Sequence, residues 1–379
     1  MSSIVQQAPE VRINLSAIKK KRINLVVFGH GNVGGKLIDQ LLQSAAEVSR
    51  RKELDIRIVG IANSTSMIVD DHGFTDSWRT HKSDKGAKYR LQDVIEFVKS
   101  ETLDNLIAVD NTASSDFVEN YEYLVKNGFH IVSANKIANT LPYTKYEDLR
   151  KTLSKYRRQF LYETNVGAGL PLIDTIKLLH NSGENIIRIK GVFSGSLSYI
   201  FNVFSEGNRT FSSVLQSAMK QGYTEPDPRE DLSGKDVARK LLILARELEL
   251  ISNLEDVNVQ NLIPNDLRKV STNEFLKRAK ELDIPYLIKL KNQKEGYVLR
   301  YVADLHGDLS KEDGGKLEVR LLSVPKNSVL GRLEGSDTIF EIYTENYAKR
   351  PLVIQGAGAG AEVTARGVFG DILRLSEKL

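Results

Sequence analysis

The chain predicts an α/β protein, a mainly parallel sheet wound with helices and followed by an α+β unit, on three observations. INLVVF, from Ile23 to Phe28, is nearly continuous apolar sequence, as a strand buried on both faces requires. Apolar runs then alternate with segments of helical period to about residue 160. Beyond Gly167 the texture changes, first to helices and then to runs in which apolar and polar residues alternate.

Taken in order, the first strand is followed by GHGNVG and a helix whose stripe of Leu37, Leu41, Ala45 and Val48, with Ile38 and Leu42 beside it, faces a core. A second strand spans Ile56 to Ala62, and LIAVD (Leu106 to Asp110) and HIVSA (His130 to Ala134) repeat the buried-strand pattern. Leu170 to Leu179 reads as helix, IIRIKGVFS as strand, and Phe211 to Ser271 as mostly helical. Residues 285 to 355 read as strand-rich, with YVLRYVADL, KLEVRLLSV and TIFEIYT as their strands. No repeat or long Gly/Ser linker separates the halves, so they are expected to share an extensive interface.

Bulk composition excludes several classes. With 379 residues and 41% hydrophobic content the chain can bury sizeable cores, while a net charge of +4 without a long basic block argues against a nucleic-acid partner. No apolar run reaches the roughly 20 residues that span a bilayer, and residues 1 to 22 lack a signal-peptide core, so no membrane partner and a cytoplasmic location are expected. Zero cysteines rule out disulfides, thiolate metal sites and thioester chemistry. The six histidines show no H-x-x-x-H spacing, G-x-S-x-G is absent, and no Walker-type loop accompanies the acidic residues, which disfavours zinc, hydrolase and kinase readings.

Gly29, Gly31 and Gly34 form G-x-G-x-x-G between strand and helix, the context a dinucleotide fingerprint requires. The first glycine permits the turn, the second admits a pyrophosphate, and the helix N-terminus offers amides and a positive dipole end. Where an acidic residue would bind the adenosine ribose, the chain has Ala62, Asn63, Ser64 and Thr65. Lack of a carboxylate there favours NADP, and lack of an arginine leaves NAD open as well.

The segment GYTEPDPREDLSGKDVARK, 222–240, puts Glu225, Asp227, Glu230, Asp231 and Asp236 within reach of one small ligand. Pro226 and Pro228 are expected to hold the first four on a stiff loop, with Ser233 capping a helix on which Asp236 and Lys240 lie four residues apart. Asp236 with Ser233 is equally a capping box, and with Lys240 a surface ion pair. Yet so many like charges repel unless a cation neutralises them, which points to a bound amino group.

With the glycine fingerprint upstream, AMKQGYTEPDPREDLSGKDVARK closely resembles the signature of the homoserine dehydrogenase family, and VDNTAS, SANK, ETNVGAGLP, FSGSLSYIFN and GAGAGAEVTARGVFGD extend the resemblance over nearly the whole chain. The resemblance implies NAD(P)-dependent interconversion of L-homoserine and L-aspartate 4-semialdehyde, a step toward threonine, methionine and isoleucine. It implies a Rossmann-type dinucleotide-binding domain, 23–160 with 358–379 returning to it, plus an α+β catalytic and dimerisation domain, 161–357, after a polar N-terminal extension, 1–22. The last helix is expected at about Ala359 to Ser376, and a homodimer through the strand-rich region.

By resemblance Lys240 and Lys136 are the catalytic lysines, one acting as general acid, and Glu225, Asp231 and Asp236 hold the substrate amino group with Gly195 and Ser196 lining the cleft. Two lysines close together ease proton release to the alkoxide that hydride arrival creates. Cofactor contacts are implied for Asn32, Val33, Asn63, Ser64, Thr112, Ala113, Ser114 and Lys136, with Gly358 and Glu362 near the nicotinamide. ETNVGAGLP implies a sodium or potassium ion held by the Glu163 side chain and the carbonyls of Val166, Ala168 and Leu170, although from the residues alone a glycine-rich turn serves equally. Appended aspartokinase or ACT-type modules are not expected. A reductase of another amino-acid semialdehyde and a non-catalytic NAD(P)-binding regulator stay as alternatives.

Overall fold

A computed structural model describes residues 20–80 and 87–379; most of the N-terminal extension and His81 lie outside the described residues. The first sheet runs β3-β2-β1-β4-β5-β6, from β1 (Lys21–Phe28), β2 (Leu54–Ala62), β3 (Met67–Val69), β4 (Leu106–Asp110), β5 (His130–Ser133) and β6 (Phe160–Leu161). All its pairings are parallel except β2 with β3. Six successive residues of β1 and all five of β4 are buried, which is why both read as unbroken apolar runs. The order in which strands are added to the sheet reverses between β1 and β4, which run parallel, so the carboxyl ends of these two strands open a crevice at the switch point.

Helix α1 (Asn32–Lys52) buries Leu37, Ile38 and Leu41 against this sheet, but Ala45 is exposed and Val48 only half-buried, because the 21-residue helix outruns the strands. Helix α2 (Leu91–Ser100) covers the other face with Val94, Ile95 and Val98. Helices α3 (Tyr143–Lys155) and α4 (Ile173–Asn181) lead out of the sheet. The start of α4 falls three residues later than its apolar pattern predicts. Its first amides, of Ile173 and Asp174, are capped by the Glu163 carboxylate at 2.7 and 3.0 Å, a partner ten residues upstream.

The second sheet runs β12-β11-β7-β9-β10-β8 and is antiparallel apart from the short β8–β10 pairing. It contains β7 (Ile186–Val192), β8 (Asn258–Val259), β9 (Tyr297–Gly307), β10 (Gly315–Pro325), β11 (Asp337–Thr344) and β12 (Leu352–Ala357). One face is covered by α5 (Gly195–Ser205) and α7 (Lys235–Arg246), with α6 (Phe211–Lys220) behind them. The strand-rich reading from residue 285 fails at its start, since α8 (Thr272–Arg278) is followed by α9 (Asp283–Lys291). Pro285 fits there because a first-turn residue needs no amide donor.

Helix α7 positions the site. Leu241 to Ala245 are five successive residues at 0–1% exposure, so this stretch is enclosed on all sides rather than laid along a surface. At roughly 1.5–3 kcal/mol for each large apolar side chain buried, the helix is firmly seated. The last helix, α10 (Ala361–Lys378), returns to the first sheet and packs Ala365, Val368, Phe369, Ile372 and Leu375 into the cluster that holds Leu37 and Ile38.

Candidate active site

The turn after β1 is shaped by close backbone approach. Gly29 has φ +83°, a region costly for side-chain-bearing residues. A Cβ on Gly34 would stand 1.8 Å from the Gly29 carbonyl oxygen, whereas a Cβ on Gly31 would meet nothing within 4 Å. The N-terminus of α1 has no side-chain cap and no acidic residue in its first turn, which leaves its amides and dipole to an anion. Across the turn, both side-chain polar atoms of Asn111 are buried without a partner among the described residues. An open cradle, uncapped amides and an orphaned carboxamide fit a dinucleotide phosphate and ribose.

A cavity of about 390 Å³ joins this turn to the acidic segment: Val33, Asn111 and Thr112 line one side, Lys136, Glu225, Asp231, Asp236 and Lys240 the other. Ala113, Gly195, Ser196 and Gly358 also line it. Residues more than 200 apart in sequence therefore share one chamber.

Within the segment the carboxylates divide. Pro228 does not exclude helix as expected. It leads into a helical turn, Arg229–Leu232, that carries Glu230 and Asp231, since proline at a helix start costs no hydrogen bond. Ser233 stands one residue before the cap position of α7, which Gly234 fills at φ +73°; its hydroxyl donates to the Glu230 carbonyl at 2.7 Å and accepts the amide of Lys235, the first helical residue, at 3.3 Å. Asp227 is turned away into a pair with Arg229 at 2.6 Å and accepts from Thr272 at 2.9 Å, and the Arg229 hydrogen bonds hold its carboxyl down at about 2. Asp231 accepts from the Ser196 hydroxyl at 2.6 Å and the Glu225 amide at 2.9 Å. Burial nevertheless pushes its carboxyl up, as burial and then the neighbouring Asp231, Glu230 and Asp236 charges do for Glu225.

Asp236 lies between the lysines, 2.9 Å from the Lys240 ammonium and 3.5 Å from that of Lys136. Burial raises its carboxyl, but Lys240 and then Lys136 outweigh it and keep the group well below the usual range. Lys240, only 10% exposed, also donates to the Phe193 carbonyl at 2.8 Å. The other end of α7 reaches the Lys136 turn, where Arg246 donates to the Asn139 carbonyl at 3.0 Å. The buried Asn139 side chain accepts from Arg150 at 2.6 Å and donates to Asn165 at 2.9 Å. One helix thus holds both lysines, Lys240 directly and Lys136 through Asn139.

Other expected residues lie farther out. Glu362 pairs with Lys36 at 2.8 Å on α1 and does not line the cavity, although Gly360 and Thr364 beside it do. Asn63 uses its side-chain oxygen on the Thr65 and Ser66 amides, Ser64 follows it on the exposed tip, Asn32 is exposed at the start of α1, and Ser114 caps the helical turn Ser115–Val118. Both Glu163 oxygens are engaged by the α4 amides and one also by Arg374, while the Leu170 carbonyl accepts the Leu172 amide at 2.9 Å. Val166 and Ala168 are buried beside them. Glu163 and the Leu170 carbonyl thus already accept from protein donors in this glycine-rich turn. Sequence reasoning missed Asn111, Ser194, Thr164 and Tyr223 as cavity residues. Asn111 and Ser194 sit inside motifs already singled out, and only their unpartnered or relayed polar atoms mark them.

A family model described as homoserine dehydrogenase matches residues 171–373, and one described as homoserine dehydrogenase, NAD binding domain, matches residues 29–163. A bifunctional aspartokinase/homoserine dehydrogenase 1, chloroplastic, of Arabidopsis thaliana is 40% identical over 355 residues, 92% of this chain and 38% of that protein. The chain spans about two fifths of the length of the curated relatives it matches. A crystal structure of a protein of unknown function from Candida auris superposes with a TM-score of 0.84 at 32% identity, covering 94% of this chain and 99% of that one. A hyperthermophilic archaeal homoserine dehydrogenase in complex with NADPH shares the fold, with a TM-score of 0.69 at 24% identity over 94% of this chain and 98% of that one.

Proposed function

This chain belongs to the homoserine dehydrogenase family, and from that premise we propose that it interconverts L-homoserine and L-aspartate 4-semialdehyde with NADP or NAD. The observation that carries the reading is the shared chamber, in which a dinucleotide turn and a carboxylate–lysine cluster face one another. A bound nicotinamide supplies or accepts hydride at the substrate carbon. The substrate ammonium sits against Glu225 and Asp231, neither of which forms an ion pair with a protein cation among the described residues. Asp236, already paired with both lysines, orients them at the reacting oxygen. Lys240 donates the proton that converts the nascent alkoxide to homoserine, and Lys136 stabilises the same oxygen from the nucleotide side. Ser196 and Ser194, 2.9 Å apart, keep Asp231 aimed inward.

Residues 23–160 with 358–379 form the nucleotide unit in this reading and 161–357 the catalytic one, with the second sheet supplying a homodimer contact. NADP is favoured over NAD because no carboxylate stands at Asn63 to repel a 2′-phosphate. No step is routed through a monovalent cation. Absorbance of NADPH and of NADH followed with aspartate semialdehyde, and homoserine oxidation followed in reverse, tests the proposal. Turnover with that pair is expected, fastest with NADP(H); a chain that binds NADPH but turns over neither substrate is not a homoserine dehydrogenase.

A further inference from the structure

A second concave site lies at the opposite edge of the nucleotide sheet. It is a cavity of about 350 Å³ at the amino ends of β4, β5 and β6, where Leu106, His130 and Gln159 meet the end of α10. The cofactor crevice opens at the carboxyl ends of the same strands, roughly 13 Å away along β4 at 3.3 Å per residue. Arg157, Arg158 and Lys378 line the cavity together with Leu379 and its main-chain carboxyl group, and among the described residues no aspartate or glutamate does. Among the described residues none of the three cations forms an ion pair with a carboxylate, and the buried Nε of Arg158 has no hydrogen-bond partner. Cationic side chains on this surface are otherwise commonly paired, as Lys52 is with Glu377 and Lys126 with Glu122. His130 completes the wall. Its Nδ1 accepts the Gln159 amide at 3.0 Å, so the neutral ring carries its proton on Nε2. Burial, then the Arg158 charge, pulls this imidazole down to about 4 and keeps it neutral near pH 7.

From three cations without an ion pair among the described residues in one concavity, with an unsatisfied guanidinium nitrogen among them, we infer that this cavity binds a small oxyanion, a phosphate or phosphate monoester, separately from the cofactor site. Arg158 offers the planar fork that matches two phosphate oxygens, and Arg157 and Lys378 add charge from either side. The competing account is that these cations only face the carboxyl ends of α3 and α10, which they follow or finish; that account requires no ligand.

Titration calorimetry with inorganic phosphate on the full chain saturated with NADPH, at ionic strength held constant with chloride, separates the two. A single saturable site is expected, weakened at least about tenfold in Arg158→Ala and in Lys378→Ala, with NADPH affinity unchanged in both. Lys378 is at an exposed helix end, so its variant keeps the test decisive if Arg158→Ala folds poorly. Parallel titrations with glycerol phosphate and with acetate identify the source: tighter binding of the monoester assigns an organic phosphate, and binding of acetate as tight as phosphate overturns the phosphate assignment. Heats no larger than the chloride control, or an isotherm untouched by both substitutions, overturn the site itself. The outcome is independent of whether homoserine is turned over.

Discussion

The turn at Gly29 and the segment from Glu225 to Lys240 face one chamber but meet charge by opposite means. The first uses backbone, with amides and a dipole left open because Gly31 and Gly34 carry no side chains and α1 has no acidic cap. The second uses side chains, and its charges are sorted by partners from elsewhere. Asp227 goes to Arg229 and Thr272 and Asp236 to two lysines, so that of the carboxylates lining the chamber Glu225 and Asp231 keep charge for a ligand. A backbone site needs space, whereas a side-chain site needs the right groups to stay unneutralised.

Removing one group from each side breaks this contrast most sharply. Lys240→Ala is expected to lower turnover by roughly 10²–10⁴-fold, the usual contribution of a positioned acid, while NADPH affinity by fluorescence titration stays as in the parent. Equal losses in both would take Lys240 out of the chemistry. Gly34→Ala should do the converse: overpacking against the Gly29 carbonyl costs about 1–3 kcal/mol, or roughly ten- to hundredfold in NADPH affinity. An unchanged dissociation constant would mean that the turn does not hold the dinucleotide.

Smaller changes sharpen the division within the acidic segment. Glu225→Gln should raise KM for homoserine about tenfold or more and leave kcat nearly intact, since one charged contact is worth about 1.5–3 kcal/mol. Burial and like charges hold the Glu225 carboxyl above its ordinary value, so folding stability falls as pH rises through that raised value, and the Gln variant should lack this fall in melting curves. Asp227→Asn should do least to activity. Its carboxyl is depressed to about 2, so its contribution, about 1 kcal/mol, is present above pH 4 and lost as pH falls towards 2. Parent and variant melting points should therefore differ at pH 7 and converge in acid. A raised KM in that variant would place Asp227 in the cage after all.

Much of this was legible along the chain because the signals are local. A strand buried on both faces must read as an apolar run, and a turn that needs positive φ and close packing must read as glycine, so β1, β4 and the fingerprint are visible without a fold. Ser233 misleads for an equally local reason: its type suits an N-cap, but Gly234 can adopt φ +73° where a Cβ would collide with the Tyr301 hydroxyl. Asn139 and Arg246 gave no sign of holding the Lys136 turn, because asparagine in a short turn and arginine late in a helix are commonplace singly.

What residue order determined by itself is the inventory: two kinds of sheet, a glycine turn that only an anion-binding backbone needs, and a surplus of carboxylates beside two lysines. Which carboxylates stay free, and which lysine meets which acid, was decided by contacts between Lys136 and Asp236, Ser196 and Asp231, and Thr272 and Asp227. The reason is electrostatic. A charge is defined by what neutralises it within a few ångströms, and that distance is set by packing rather than by position along the chain.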